Sequence, residues 1–572
     1  MHYDDRFWIK SYDPSVSADI DVPERTLNDR FEEIAAEFPH NPALHFIGLK
    51  LTYKELMAHA DRFAQALISN GCAPGDVVGI SLPNTPQYLI AFFGTLKAGC
   101  MATGVSPLLT APELAFQLKD SGARVLVTLD AIFEHRLAGV ADELPDLKLV
   151  IGTGILDFLP AYKRVLGRLL KKVPHGTLRP LRDKKLMRFM DILRAYPAHP
   201  PQVKVQPHDH CLLQYTGGTT GLPKGTVLTH RNIVANLAQI EAWIKPSYGS
   251  EVILSGFPFF HLAGLCLGLS AIGAGGDQIL IPNPRETKHI VKEIARHKPT
   301  ILVNVPSLYL MLLETPGFRT LDFSGLRVAL SGAAPFPVEA VNELERVIGA
   351  GKLLEVYGMT ETSPIVTMNP SLGKKKIGTV GIPVPGTWVR LVDLETGREQ
   401  VPVGTEGEIV VSGPQVMKCY FNRPDETSLA LRERDGRTWL HTGDVGRMDE
   451  DGFITIVDRA KDMLSVGGFK VFSRELEEKL YRLPAIELCA IIGIPNPKRP
   501  GSELVKLVLQ PSQAFKDRGE NELKDEILAF SRENFAPYKV PKIIEIVDSI
   551  PLTSVGKVDK QALRMTSEAA SI

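Results

Sequence analysis

Tyr215–Gly225 reads YTGGTTGLPKG. Three threonine hydroxyls, four glycines and one lysine fall within these eleven residues. Glycine lacks a Cβ, so backbone N–H groups there approach phosphate oxygens closely; hydroxyls add donors and Lys224 adds a cation. The strand-like HCLLQY (His210–Tyr215) leads into the string, which suits a loop that follows a strand. It is not a Walker A loop, because Lys224 sits between Pro223 and Gly225 rather than between Gly and Ser or Thr. From the residues alone the string is either a plain glycine turn or a phosphate cradle.

Outward from it, strand-like and helical patterns alternate. RTLNDRFEEIAAEF (Arg25–Phe38) has apolar residues at helical spacing. DVVGISLPNT (Asp76–Thr85) reads as a buried strand and turn, QYLIAFFGTLKAG as a packed helix, and ARVLVTL (Ala123–Leu129) as another strand. Such alternation predicts a largely parallel, layered α/β domain, resumed over ~205–370. Short β runs with turns then follow (WVRLVDLETG, GEIVVSGPQV, GFITIVD), predicting a small sheet or barrel. The polar DRAKD (Asp458–Asp462) reads as a linker, and beyond it SRELEEKLYRL is helical while ELCAIIGIP and VKLVLQP are strand-like. No internal repeat is present.

The 572 residues exceed one compact core. Lys plus Arg is 65 and Asp plus Glu 66, so the chain is not basic overall and is not expected to bind nucleic acid. Six scattered cysteines form no CxxC pair, and the charged N-terminus MHYDDRFWIKSYDP lacks a signal-peptide core. A reducing cytoplasm is expected. Val252–Gly276 spans 25 residues without a charged side chain, but Pro258 and six glycines interrupt it; buried core is expected rather than a membrane span. Between Lys163 and Arg188 ten Lys or Arg face one acid, Asp183, with apolar residues interleaved. That segment is either a solvated basic face or a surface resting on the anionic inner face of a membrane.

YTGGTTGLPKG resembles the signature of the adenylate-forming acyl-CoA synthetases, the superfamily shared with luciferases and peptide-synthetase adenylation domains. Further matches occur in that superfamily's order: PFFH (Pro258–His261), SGAAPFP (Ser331–Pro337), EVYGMTE (Glu355–Glu361), HTGD (His441–Asp444), DRAKD and SVGK (Ser554–Lys557). LIPNPRET (Leu280–Thr287) and GPQVMKCY (Gly413–Tyr420) are similar to bacterial medium- and long-chain fatty acid:CoA ligases, with Cys419 where glycine is common. The resemblance implies an α/β fold. A large N-terminal domain (1–458) combines layered α/β subdomains with a small β-barrel-like region; a hinge (459–462) joins it to a small mobile C-terminal α/β domain (463–572).

It also implies roles. Thr216, Gly217, Gly218, Thr219, Thr220, Gly221 and Lys224, with Ala333 and the run Glu355, Val356, Tyr357, Gly358, Met359 and Thr360, would bind ATP. Asp444 and Arg459 would hold the ribose hydroxyls, since a carboxylate accepts from vicinal hydroxyls and Arg donates in a fixed fork. Glu361 would hold Mg²⁺, and Tyr357 would offer adenine an aromatic face. Lys557 would bridge substrate carboxylate and α-phosphate. His261 would line the acyl site. Rotation about Lys461 would bring Gly467, Gly468 and Phe469 to the CoA path. LAGLCLGLSAIGAGG (Leu262–Gly276) is apolar and rich in small residues, consistent either with room for an acyl chain or with a tight helix. The implied reaction joins a fatty acid, medium or long chain favoured, to CoA at the expense of ATP. Aryl or other acids, a carrier-protein thiol as acceptor, and a silent ligand binder are the alternatives. A homodimer is a family-level expectation.

Overall fold

The computed structural model describes residues 2–569 apart from 161, 165–166, 168–173, 217–222, 335, 468, 498, 500–501, 517 and 554–557. Among the described residues two large sheets dominate. One has eight strands, with Val77–Ser81, Met101–Gly104, Ala123–Leu129, Leu149–Thr153 and Lys185–Arg188 parallel, and with the His210–Thr216/Lys224–Thr229 hairpin at its other side. The other has nine, and its centre is the parallel set Asp277–Leu280, Val252–Ser255, Ile301–Asn304, Val328–Ser331 and Leu353–Gly358. Both faces of these strands are covered, which is why Val77–Ser81 and Ile301–Asn304 are buried at every position.

The strand Ala123–Leu129 has the bounds its β-rich run predicts, and the helix Leu27–Glu37 lies inside Arg25–Phe38. Thr26 caps that helix through a reciprocal pair with Asp29, and Thr229 caps His230–Ile244 in the same way with Asn232. Each such cap satisfies donors that the first turn would otherwise leave orphaned. The uncharged stretch Val252–Gly276 forms a short strand and the helix Leu262–Gly273, buried in the core. Among the described residues no helix is long and apolar enough to cross a membrane.

Residues ~388–459 fold as a five-stranded antiparallel sheet around the long strand Arg437–Met448. One continuous core joins both large sheets to this one. From Leu464 onward the buried residues form their own clusters, built on the antiparallel pair Ile486–Pro495/Glu503–Pro511, which Ile543–Ile546 joins in parallel. In the basic segment, Lys163 donates to the Ile47 carbonyl and Lys184 to those of Leu144 and Leu147, so these two cations are engaged by the protein. Lys185–Arg188 is an edge strand.

Candidate active site

The strand ends of the two large sheets gather the motifs. Gln214, one residue before the glycine loop, donates to the Phe260 carbonyl (2.8 Å), and Tyr88 donates to that of Phe259 (2.7 Å). The PFFH turn is thereby laced to the strand that leads into YTGGTTG. His261 is half-buried and caps the helix Leu262–Gly273, its ring Nδ1 accepting from the Ala263 N–H (3.4 Å). Thr216 and Lys224 face each other across the hairpin. Gly217, Gly218, Thr219, Thr220 and Gly221 lie outside the described residues, as do Gly468 and Lys557.

Across from the hairpin stands EVYGMTE. Leu353–Gly358 is the strand, and Thr360–Thr362 a short turn of helix with Thr360 and Glu361 buried. Gly358 must be glycine because a Cβ there would fall on the Pro364 carbonyl. Gly332 packs against Val356, and Ala333 beside it adopts a left-handed φ of 69°. That conformation costs a non-glycine residue energy and survives only where the surroundings impose it. Gly332 and Ala333 are thus held against EVYG.

The Glu361 carboxylate accepts from the Tyr420 hydroxyl (2.7 Å), and burial raises its pKa. Lys224 Nζ lies 5.2 Å from the centre of the Tyr420 ring. Tyr420 therefore bridges the glycine loop's lysine and Glu361. Nearby, Tyr215 and Arg423 both donate to Asp120 (2.7 Å each). These four contacts join segments up to 303 residues apart, and no local pattern marks them in the sequence. Tyr420 ends GPQVMKCY, so the motif points to the neighbourhood but not to the bond. Cys419 sits in a short extended strand paired with Val227, where nothing requires the glycine common at that position.

HTGD and DRAKD meet directly. Asp444 and Arg459 are antiparallel register partners, with Arg459 Nε 3.0 Å from one Asp444 oxygen. The other oxygen accepts from the Tyr357 hydroxyl (2.7 Å). The ring of Tyr357 is thus anchored by its hydroxyl. Glu355 is largely buried, which pushes its pKa up to about 7 although the Gly378 N–H donates to it. Beyond Arg459, Lys461 is exposed. Gly467 takes a left-handed φ of 60°, and Phe469 is exposed and stacks on Tyr538. Phe469 and Tyr538 both lie beyond the 459–462 segment.

Residues 31–421 match the AMP-binding enzyme family, and residues 475–557 match the AMP-binding enzyme C-terminal domain. The chain is 38% identical over 565 residues to a long-chain-fatty-acid–CoA ligase of Bacillus subtilis (strain 168), covering 97% of each. It is 36% identical over 566 residues to the long-chain-fatty-acid–CoA ligase of Escherichia coli O6:H1, covering 98% of each. Among solved structures it is similar to the anthranilate CoA ligase AuaEII in complex with anthranoyl-AMP. The TM-score is 0.83 at 25% identity, with 100% of both chains covered.

Proposed function

The chain belongs to the AMP-binding enzyme family, and from that premise we propose that it is an ATP-dependent fatty acid:CoA ligase. In the first half-reaction the acid's carboxylate attacks the α-phosphorus of ATP, giving acyl-AMP and pyrophosphate. In the second the CoA thiol attacks the acyl carbon and AMP leaves. The observation that carries this reading is the convergence of EVYGMTE, HTGD and DRAKD, with Tyr357, Asp444 and Arg459 in one set of contacts and Glu361 within electrostatic range of Asp444 and Arg459. Relatives matched along nearly the whole chain support it.

Both reactants of the first step are anions. At ~4 Å in an effective dielectric of ~20, each like-charge pair opposes approach by about 4 kcal/mol. Lys224 and Lys557 are the cations assigned to offset it. Asp444 accepts from the ribose hydroxyls, taking the place its Tyr357 and Arg459 contacts now hold, and Arg459 donates to them. Thr360 donates to the α-phosphate. The donor set suits Mg²⁺: Glu361 offers one buried carboxylate. Among the described residues no group of three or more His, Cys, Asp or Glu side chains forms a protein-only cage, and Mg²⁺ ordinarily takes one or two carboxylates plus phosphate oxygens. Bound there, Mg²⁺ would offset charge on the phosphates. The CoA thiol, with an ordinary pKa of about 8.5, needs only modest help to ionise, so His261 is assigned to the wall of the acyl site.

Two reactions at one site call for motion, and we assign it to residues 459–462, between the strand Ile454–Arg459, which packs on the large core, and the separate cluster that begins at Leu464. Gly467, Gly468 and Phe469 would then line the pantetheine path. Peripheral contact of 163–188 with an anionic membrane and a homodimer belong to the same proposal; co-sedimentation with anionic vesicles and light scattering test them. The likeness to an anthranilate ligase favours aryl acids as the second reading. One experiment separates the two: mass spectrometry of products from ATP, CoA and a panel of alkyl and aryl acids. Fatty acyl-CoA with AMP supports the proposal, aryl-CoA alone transfers it to the second reading, and no thioester from folded protein overturns both.

A further inference from the structure

A narrow apolar cleft, with about 50 Å³ of internal space, runs between the helices His230–Ile244 and Leu262–Gly273 and the nine-stranded sheet. Its inner end is lined by Val303 and Leu330, next to Asn304 and to the Ser331–Ala333 loop of the site. Leu267, Ser270, Ala271 and Ala274 present one face of the second helix to it. The two upstream glycines do not make this room. A Cβ at Gly264 would strike the Pro258 carbonyl, and one at Gly268 would press on Phe259.

The outer end is different in kind. Arg30 crosses it, donating to the Gly273 carbonyl at the helix end (2.6 Å), to Glu241 (3.2 Å) and to the Tyr248 hydroxyl (3.4 Å). Glu241 lines the cleft too, and burial raises its pKa. An apolar passage thus ends in a bonded polar bar contributed by three separate segments.

We propose that Arg30 and Glu241 form an end-stop that sets how long an acyl chain the enzyme takes. The inference rests on the fatty acid:CoA ligase reading above. Length supports it. The helix Leu262–Gly273 has 12 residues and so spans about 18 Å from His261, beside the site, to the carbonyl that Arg30 holds. Each ~1.5 Å C–C bond advances an extended chain by about 1.3 Å, so roughly 14 carbons reach the bar. A shorter chain lies wholly in apolar surroundings. A longer one must press its terminal carbons on a guanidinium whose bonds it would have to break, and a site built that way discriminates by much more than one methylene's transfer.

The test is kcat/KM over saturated acids of about 8 to 20 carbons for wild type, Arg30→Ala and the near-isosteric Glu241→Gln. The quantity read is the ratio of the longest acids to those of about 12 carbons. Opening the bar should raise this ratio about tenfold or more in Arg30→Ala and by a smaller factor in Glu241→Gln. A uniform loss at all lengths, or an unchanged ratio in both variants, overturns the end-stop. If wild type makes no acyl-CoA at any length, the ligase reading itself fails. Should Arg30→Ala not fold, Glu241→Gln alone decides.

Discussion

Glu355 lies within the strand Leu353–Gly358 beside the site, and burial lifts its carboxyl from 4.5 to about 7. The sign follows from linkage. Between those two values the folded protein holds a proton that the unfolded chain has released, so ionisation opposes folding progressively as pH rises and fully above about 7. Glu355→Gln removes the charge and keeps the shape. It should raise stability by about 1–3 kcal/mol at mildly alkaline pH and by nothing below about pH 4.5; thermal melts at several pH values check this, and a gain independent of pH contradicts it. Lys557 makes a sharper case. If it supplies the cation between the two anions, Lys557→Ala should slow acid-dependent pyrophosphate exchange by ~10²–10⁴-fold while acyl-AMP supplied from outside is still converted to thioester. Wild-type exchange would remove Lys557 from the mechanism. Residues of this kind were legible because they sit in contiguous motifs. Tyr420 was not, nor were Asp120 and Arg30, since each acts through a partner 59 to 303 residues away that only the fold brings near.

At the level of elements, local periodicity placed strands such as Ala123–Leu129 and helices such as Leu27–Glu37 closely. Apolar alternation says nothing about which strands become neighbours, and it left the use of the glycine-rich helix Leu262–Gly273 open. The segment around 459–462 shows what lies beyond pattern. Asp458, buried at the end of its strand, accepts from the Ser473 N–H and hydroxyl and so caps the helix Ser473–Leu480 from outside. Lys560, three residues after Lys557, donates to Ser473 and pairs with Glu477 at 2.8 Å. Burial works against its charge, but Glu477, Asp458 and Asp462 more than offset that and raise its pKa. Breaking one side of such a pair strands a charge, so Glu477→Ala should destabilise the C-terminal unit by about 3–5 kcal/mol, whereas Glu477→Leu with Lys560→Met should recover most of it. Amide hydrogen exchange in Ile486–Pro495 of the full chain reads the effect on that unit directly. Equal protection in Glu477→Ala and wild type would show that the pair carries no stability.

Beyond Arg459 the chain passes into a smaller unit with buried clusters of its own, and the proposed chemistry calls for two arrangements of it against the larger one. In the arrangement described here Lys470 of the small unit lies 3.4 Å from Glu395 of the large one, with both side chains exposed. An exposed pair of this kind contributes about 1 kcal/mol or less, so it marks the pose without holding it. It is therefore a place to lock the pose without disturbing the site. Glu395→Cys with Lys470→Cys, in a Cys419→Ala background because the other five cysteines are buried, can be joined by a short bismaleimide. If catalysis alternates by rotation about Lys461, the tethered enzyme should retain one half-reaction and lose the other by about tenfold or more, pyrophosphate exchange and acyl-AMP-to-thioester conversion being assayed separately. Which half survives identifies the reaction this pose serves. A fully tethered enzyme that runs both at the untethered rate, or loses both alike, would mean that the two steps share one fixed arrangement, and the hinge assigned to 459–462 would have no catalytic part.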